Sequence, residues 1–470
     1  MPPTIWIDVE DLFLYAAFTA RPSGIQRLSF EIEQALVARC GIGGMVRFLR
    51  YDHRHAAFAE VAWKEVLAVY AGMAAAPHGA ARVRTVPARA AASGWLRGRA
   101  RTLADRLPGR VRAPLGRAVR LQVQALRALA QAIRAVLVHL RTKPIGTVPE
   151  DGASRFAADV RAGDVLLTLG AGWEQRDFAD ALARTRARHG MCWALLVYDL
   201  IPVRCPEWSH DYLTARFGQW LDRMLPLADR LMTISHASAH DLEAYAAERG
   251  IALAGPVHTI PIGTGFSHQP APAPAPAGSA LPQPGTYVLF VSTMEVRKNH
   301  ALLFRVWRRL LDEMPQDAVP TLVFAGRIGW LMNDLLQQLE NTSFLYGRVV
   351  IIEDPSDADL VALYRGCLFT LFPSLYEGWG LPVTESLAFG KPCVIANATS
   401  LPEAGGSLAR YFDPDNLSDA VRVIRAVLED RAALTVWEEQ IRREFRPIPW
   451  SASAEAVLAA LTEARPRASA

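Results

Sequence analysis

The sequence predicts a two-domain α/β protein in which each domain is a parallel sheet covered by helices on both faces. Three observations carry this. The chain is 470 residues long and 51% hydrophobic, enough for two or three domains that each bury a core. Short, near-continuous apolar runs alternate with helical patterns along most of it, as strands buried on both faces do. Residues 268–285, HQPAPAPAPAGSALPQPG, place six prolines in eighteen residues, and alternating Ala-Pro can continue neither a helix nor a central strand. That linker separates residues 1–267 from a second domain at 286–440, with 441–470 as a closing helical tail.

The elements follow in order. Before the linker the strand runs are Ile5–Asp8, Val46–Tyr51, Asp164–Leu169, Trp193–Tyr198, Leu231–Ile234 and His258–Pro261, with helix patterns at Gln26–Ala38 and Tyr212–Leu227. After it come Tyr287–Ser292, Thr321–Ala325, Val349–Ile352, Leu368–Phe372 and Cys393–Ala396, with helices at His300–Glu313 and Leu331–Glu340. Strand–helix–strand repetition predicts two Rossmann-like units, and ligands of such units gather outside the carboxyl ends of the strands. Two facing units then enclose a cleft.

Residues 70–150 interrupt the pattern. Between Arg82 and Lys143 stand fourteen Arg and one Lys against the single acid Asp105, a local charge of +14 in a chain of net +4. Val119, Leu126, Ile133 and Leu140 recur every seven residues, with Leu129 and Val136 between them and Arg120, Arg127, Arg134 and Arg141 alongside. We read a basic amphipathic helical insertion in the first domain, suited to anionic headgroups or, equally, to packing on the domain with a solvated basic face. Nucleic acid is not expected as a partner, since no aromatics interleave with these charges. Five cysteines with no Cys-x-x-Cys pair argue against a disulfide scaffold or zinc module and for a reducing cytoplasm. Neither a secretion signal nor a spanning helix is expected.

The chemistry is concentrated in FPSLYEGWGLPVTESLAFGKPCVIANATSLPEAGG, residues 372–406. A strand ends, the loop Glu377-Gly378-Trp379-Gly380 follows, and Pro382 marks the start of a helix. Glycines beside a helix N-terminus allow a phosphate to approach backbone N–H groups. Glu377 and Glu385 are eight residues apart, and each carboxylate can accept hydrogen bonds from paired sugar hydroxyls. Either glutamate alone would read as a helix-start acid satisfying the dipole; the whole string does not.

This string resembles the signature of retaining GT-B glycosyltransferases of family 4. Val291-Ser-Thr-Met-Glu-Val-Arg-Lys-Asn299, Phe324-Ala-Gly-Arg-Ile-Gly-Trp330, Val197-Tyr-Asp-Leu-Ile-Pro202, Ile234-Ser-His-Ala-Ser238, Ile260-Pro-Ile-Gly263 and Ser23-Gly-Ile-Gln-Arg27 are similar to further loops of that family. The resemblance implies a nucleotide-sugar donor in the second domain and an acceptor in the first. It places Glu385 on the nucleotide ribose and Glu377 on the transferred sugar. Lys298 and Arg327 are placed on the diphosphate, the backbone from Gly378 through Trp379 and Gly380 to Leu381 in the phosphate cradle, and Gly24 on the acceptor side. Thr293 stands where many relatives have Gly-Arg, and Tyr198 before Asp199 where many have His. Tyr198 is read either as a catalytic group or as a buried strand end, with Asp199 the remaining polar contact.

The expectation is a metal-independent retaining hexosyltransferase with no cofactor beyond its donor, cytoplasmic and peripheral on the inner membrane. It moves mannose from GDP-mannose to a lipid-linked saccharide in polysaccharide or lipopolysaccharide assembly, with residues 82–143 on an anionic membrane surface. A UDP-sugar or dTDP-rhamnose donor, a sugar-phosphate synthase, phosphorylase or epimerase, and a degenerate membrane-docked scaffold are the alternatives.

Overall fold

The structure, a computed structural model, describes residues 3–19, 21–41, 44–53, 55–74, 82–85, scattered positions from 108 to 149, and 151–175, 177–265 and 281–462. The first sheet is formed by β1 (Ile5–Asp8), β2 (Val46–Asp52), β3 (Ala57–Val61), β5 (Val165–Thr168), β6 (Cys192–Val197), β7 (Arg230–Thr233) and β8 (Val257–Thr259), and between β3 and β5 in sequence lies β4 (Arg82–Arg84). The second holds β9 (Tyr287–Val291), β10 (Thr321–Ala325), β11 (Val349–Glu353), β12 (Thr370–Phe372), β13 (Cys393–Ala396) and β14 (Arg410–Phe412). Their orders are β3-β2-β1-β5-β6-β7-β8 and β14-β13-β12-β9-β10-β11-β4. The predicted fold class is therefore observed, as two mostly parallel sheets of seven strands flanked by helices. In the first sheet, core clusters lie on both faces, and Trp6, Leu166 and Trp193 sit back to back with Ile7, Leu167 and Ala194.

The helix Gly24–Cys40 begins before the predicted Gln26 because the Ser23 side chain accepts from the Ile25 N–H and caps it; it ends at Gly41. The helix His300–Glu313 has the predicted bounds. Two antiparallel edge strands were not predicted. One is β3, paired with β2 from Phe48 opposite Val61 to Asp52 opposite Ala57. The other is β4, three residues of the basic segment, which crosses to the second sheet and pairs with β11. Its physical basis is the open edge of β11, whose outward N–H and C=O groups need partners. Arg84 also meets Glu353 at 3.0 Å. The insertion is thus fastened to the second sheet as well as continuous with the first domain.

Helical positions between 110 and 133 are described, and Val111, Leu115, Val119, Leu126, Leu129 and Ile133 are each at least half exposed. None of them belongs to the core clusters of the described residues. Val136, Leu140 and Arg120, Arg127, Arg134 and Arg141 lie outside the described residues, as do positions 268–280 of the linker. The tail helix is Trp450–Thr462, and it lies on the first domain: Trp450 Nε1 donates to the Gly265 carbonyl at 2.8 Å and Ser453 Oγ to that of Pro261 at 2.6 Å.

Beneath the first sheet's cleft edge, the side chains of Arg50 and Glu10, 8% and 3% exposed, pair at 2.8 Å, and the guanidinium also covers the Phe13 ring at 4.0 Å. Burial raises the Glu10 carboxyl above its usual range and Arg50 opposes this. Removing one partner strands a buried charge. Arg50→Met should cost about 3–5 kcal/mol in urea unfolding, and the double variant Glu10→Gln/Arg50→Met should regain most of it.

Candidate functional site

β12 delivers the chain at Phe372 into the loop that ends at Gly380, and the helix Leu381–Ala388 follows with Pro382 in its first turn. The loop is fixed from β13's carboxyl end. The Glu377 N–H donates to Thr399 Oγ1 at 2.9 Å, and Ser400 Oγ donates to the Glu377 carbonyl at 2.8 Å. Gly378 touches the first domain: a Cβ there would stand 2.8 Å from the Tyr198 carbonyl oxygen and 3.1 Å from Asp199 Cβ. Only hydrogen fits, so the absent side chain lets the loop carry Glu377 up to the end of β6.

Glu377 is buried and held by two cations from the loop after β9. Lys298 Nζ lies 2.5 Å from one of its oxygens and Arg297 Nη1 2.9 Å from the other. Arg297 Nη2 pairs with Glu295 at 2.6 Å and the guanidinium also donates to the Tyr376 carbonyl. Burial alone would raise the Glu377 carboxyl, but Arg297 and then Lys298 outweigh it and hold it down at about 2. Desolvation, with Arg297 next, pushes the Lys298 ammonium below its usual value. Asp199 is raised by burial, which Arg297 partly offsets, and its carboxylate accepts from the Ile201 N–H at 3.1 Å.

Glu385 sits within the helix that follows, where Tyr364 donates to its carboxylate at 2.8 Å and stacks on Phe389 with ring centroids 5.1 Å apart. Burial raises its carboxyl; the Tyr364 hydrogen bond and then the charge of Arg27 pull the other way. Arg27 comes from the first domain and stands 3.8 Å from Asp357. Gly24, the first residue of the helix Gly24–Cys40, faces open space on that same helix end. The N-terminal turn Ser23–Arg27 and the Glu385 pocket therefore face each other across the cleft.

The other sequence-predicted residues divide. Lys298, Glu377 and Asp199 are brought together around Arg297. Trp379 and Leu381 pack on apolar clusters, Trp379 on those of both domains. Thr293 is exposed in the loop after β9, and its methyl would lie 3.0 Å from a Cβ at Gly329 of the next loop. Arg327 is exposed, and its side chain makes no ion pair among the described residues, so it does not join the Glu377 cluster. At Gly326 beside it, φ is +150° and a Cβ would fall 2.0 Å from the Ser292 carbonyl, so no side chain fits where the two loops cross. Of the two readings of Tyr198, its surroundings fit the buried strand end. Its ring is 5% exposed and its hydroxyl donates to the Leu169 carbonyl at 2.8 Å, so it closes the core. The sequence reading missed Arg297 and Tyr364. Arg297 stood inside a quoted motif but beside the more familiar Lys298, and Tyr364 lay on a helix with no motif at all.

Residues 275–444 match the family model described as "Glycosyl transferases group 1". Over 275 residues the chain is 28% identical to the Escherichia coli "Serotype-specific mannosyltransferase WbdA", a match covering 56% of this chain and 32% of that protein. Over 144 residues it is 35% identical to the Escherichia coli "O-antigen chain mannosyltransferase B", covering 31% and 37%. The chain thus spans about a third of the length of these curated relatives. Among solved structures, that of Anabaena Alr3699/HepE in complex with UDP and glucose aligns with 98% of this chain and 100% of its own, at a TM-score of 0.51 and 14% identity. The fold is GT-B, and its second domain is the part that matches the glycosyl transferases group 1 model.

Proposed function

We propose that the protein is a retaining, metal-independent hexosyltransferase that moves mannose from GDP-mannose to a lipid-linked glycan acceptor in polysaccharide assembly. The observation that carries this reading is the buried Glu377 carboxylate gripped by Arg297 and Lys298 at the mouth of the cleft. Breaking a sugar–phosphate bond places negative charge on the departing diphosphate, which cations at the cleft floor can meet. The backbone of Gly378–Leu381 and the N-terminus of the helix Leu381–Ala388 would supply the rest of the phosphate cradle. Glu385, oriented by Tyr364, would accept from the ribose hydroxyls, and Glu377 from those of the transferred sugar. The acceptor proton would leave to the phosphate oxygen on the same face, since Tyr198 is spent in the core. Mannose is favoured because relatives of part of this chain carry mannosyltransferase names.

The acceptor's lipid would come from an anionic bilayer. The exposed side chains of Val111, Leu115, Val119, Leu126, Leu129 and Ile133 supply apolar contact, and the +14 charge of the segment around them supplies attraction. No helix among the described residues is long and apolar enough to cross a membrane. Leu126→Glu/Leu129→Glu should abolish co-sedimentation with phosphatidylglycerol-containing vesicles and leave nucleotide binding intact. Unchanged sedimentation would refute the bilayer contact.

Calorimetric titration against GDP, UDP, dTDP and ADP, with and without Mg²⁺, tests the donor assignment. A GDP response indifferent to Mg²⁺ is expected, weakened roughly ten- to hundredfold by Glu385→Ala, because two charge-assisted hydrogen bonds go. Tyr364→Phe should weaken it less. Lys298→Ala should lower the rate of transfer by about 10²–10³. With its carboxyl held at about 2 rather than 4.5, Glu377 loses its charge only as pH falls through that lower value. The pH–rate profile should therefore show no acid limb near pH 4–5 from this residue.

A further inference from the structure

At the end of β11 three carboxylates, Glu353, Asp354 and Asp357, stand close together in the chain, and arginines from the part before the linker meet each of them. Arg21 meets Asp354 at 2.7 Å, Arg27 meets Asp357 at 3.8 Å and Arg84 meets Glu353 at 3.0 Å. Arg21 and Arg27 flank the start of the helix Gly24–Cys40, whereas Arg84 belongs to β4. β4 is antiparallel to β11, with Arg82 opposite Glu353 and Arg84 opposite Ile351. The chain therefore meets the second domain at its cleft edge and leads along the sheet away from the cleft. Between the two arginines, Val83 packs on the apolar cluster that contains Ile352, Leu363 and Tyr364. Leu363 and Tyr364 lie on the helix Asp357–Gly366, which a capping box of Ser356 and Asp359 closes at its start. Tyr364 is the residue that orients Glu385.

We propose that β4 is a strap: paired with β11 it holds the helix Asp357–Gly366, and with it Tyr364 and Glu385, in the nucleotide-binding position, and released it lets that position slacken. The inference goes beyond the transferase reading and rests on it only in taking Glu385 as a nucleotide contact. The two states differ in definite contacts, namely three residues of strand pairing, the packing of Val83 and the Arg84–Glu353 pair. A three-residue edge strand whose arginine side chain is 45% exposed opens locally far more readily than either core. Release uncovers the cluster beside Leu363 and Tyr364 and takes Arg84 from the turn at which their helix starts. Seven residues separate β4 from Ala74, the end of a first-domain helix, and fully extended they reach at most about 26–29 Å. The strap thus ties the β11 edge to the first domain as well. Coupling is reciprocal, so a nucleotide that prefers the paired state stabilises β4 by the same factor. The basic segment continues directly from β4, so an anchor on that segment acts on the nucleotide side through these three residues.

The test combines amide hydrogen exchange with calorimetric titration against GDP, UDP, dTDP and ADP on the full chain. The proteins are wild type, Val83→Asp, Arg84→Glu, Glu353→Arg and the charge-reversed pair Arg84→Glu/Glu353→Arg. Val83→Asp should speed exchange in β11 and in the helix Asp357–Gly366 and leave β6, in the first sheet, unchanged. It should also weaken nucleotide binding about fivefold or more. Each single charge reversal should do the same in smaller measure, and the reversed pair should recover most of the loss. In wild type, saturating nucleotide should slow exchange at residues 82–84. Unmoved exchange in the helix Asp357–Gly366 on Val83→Asp, or a reversed pair no better than the single variants, would overturn the proposal. So would nucleotide binding indifferent to Val83→Asp. If no nucleotide binds the wild type while the exchange effects hold, the donor reading falls and the strap stands. Arg84 is a half-exposed edge residue, so its variant should fold even where Val83→Asp does not, and an unchanged melting temperature checks that it does.

Discussion

The buried contact of Glu377 with Arg297 and Lys298 is the constraint from which the cleft follows. A carboxylate taken out of water costs several kcal/mol unless it is paired and its lone pairs are filled. Here both oxygens are occupied, one by each cation, and the cations come from the loop after β9 while the carboxylate comes from the loop after β12. β9 and β12 are neighbours in the second sheet, so the pairing locks adjacent strand ends into one charged floor. Satisfying that charge also fixes where Glu377 lies relative to the first domain, because the next residue, Gly378, rests against Tyr198 and Asp199.

Closure of the two domains has a different energetic character. Arg21 meets Asp354 at 2.7 Å, the Glu403 carboxylate accepts from the N–H groups of His236 and Ala237, and Tyr376 reaches Asp241. These polar contacts lie near solvent, where an ion pair contributes about 0–1 kcal/mol and is screened by salt. Glu403 gains something more by capping the helix His236–Arg249 at its positive end. Trp379, packed on the core clusters of both domains, and Leu381, packed on that of the first, add apolar contact. Contacts of this polar kind can exchange with water without disturbing either core.

What could be read in the sequence followed from burial. β10 and β13 have their predicted bounds because strands buried on both faces must be continuous apolar runs. β4 was illegible because Arg-Val-Arg is too short and too polar for any period; only the free edge of β11 makes it a strand. The same holds at the site. Glu377, Glu385 and Lys298 were found through a motif, whereas Arg297, next to Lys298 in the chain, was passed over because sequence does not say which of two adjacent cations points inward. Both do, since residues 296–298 form a single 3₁₀ turn against the Glu377 loop. Tyr198 is the opposite case: of the two roles the sequence left open, the buried strand end is the one that the hydroxyl's bond to the Leu169 carbonyl favours.

The charge count at the floor of the cleft bears on how a donor would enter. Arg297 and Lys298 are already balanced by Glu295 and Glu377, so a diphosphate would arrive at a site with no net positive charge held in reserve. From this pair it can gain a cation only by competing for one. Lys298 is the more available of the two: its single long stem carries a point charge, its ammonium is pushed below its usual range, and it binds one carboxylate oxygen. Arg297 is fixed by two carboxylates and a carbonyl. A diphosphate that drew Lys298 away would free one Glu377 oxygen while Arg297 held the other in place. The freed oxygen is then an acceptor aimed into the cleft at the moment a sugar hydroxyl needs one, so phosphate binding and sugar recognition would be coupled through a single lysine.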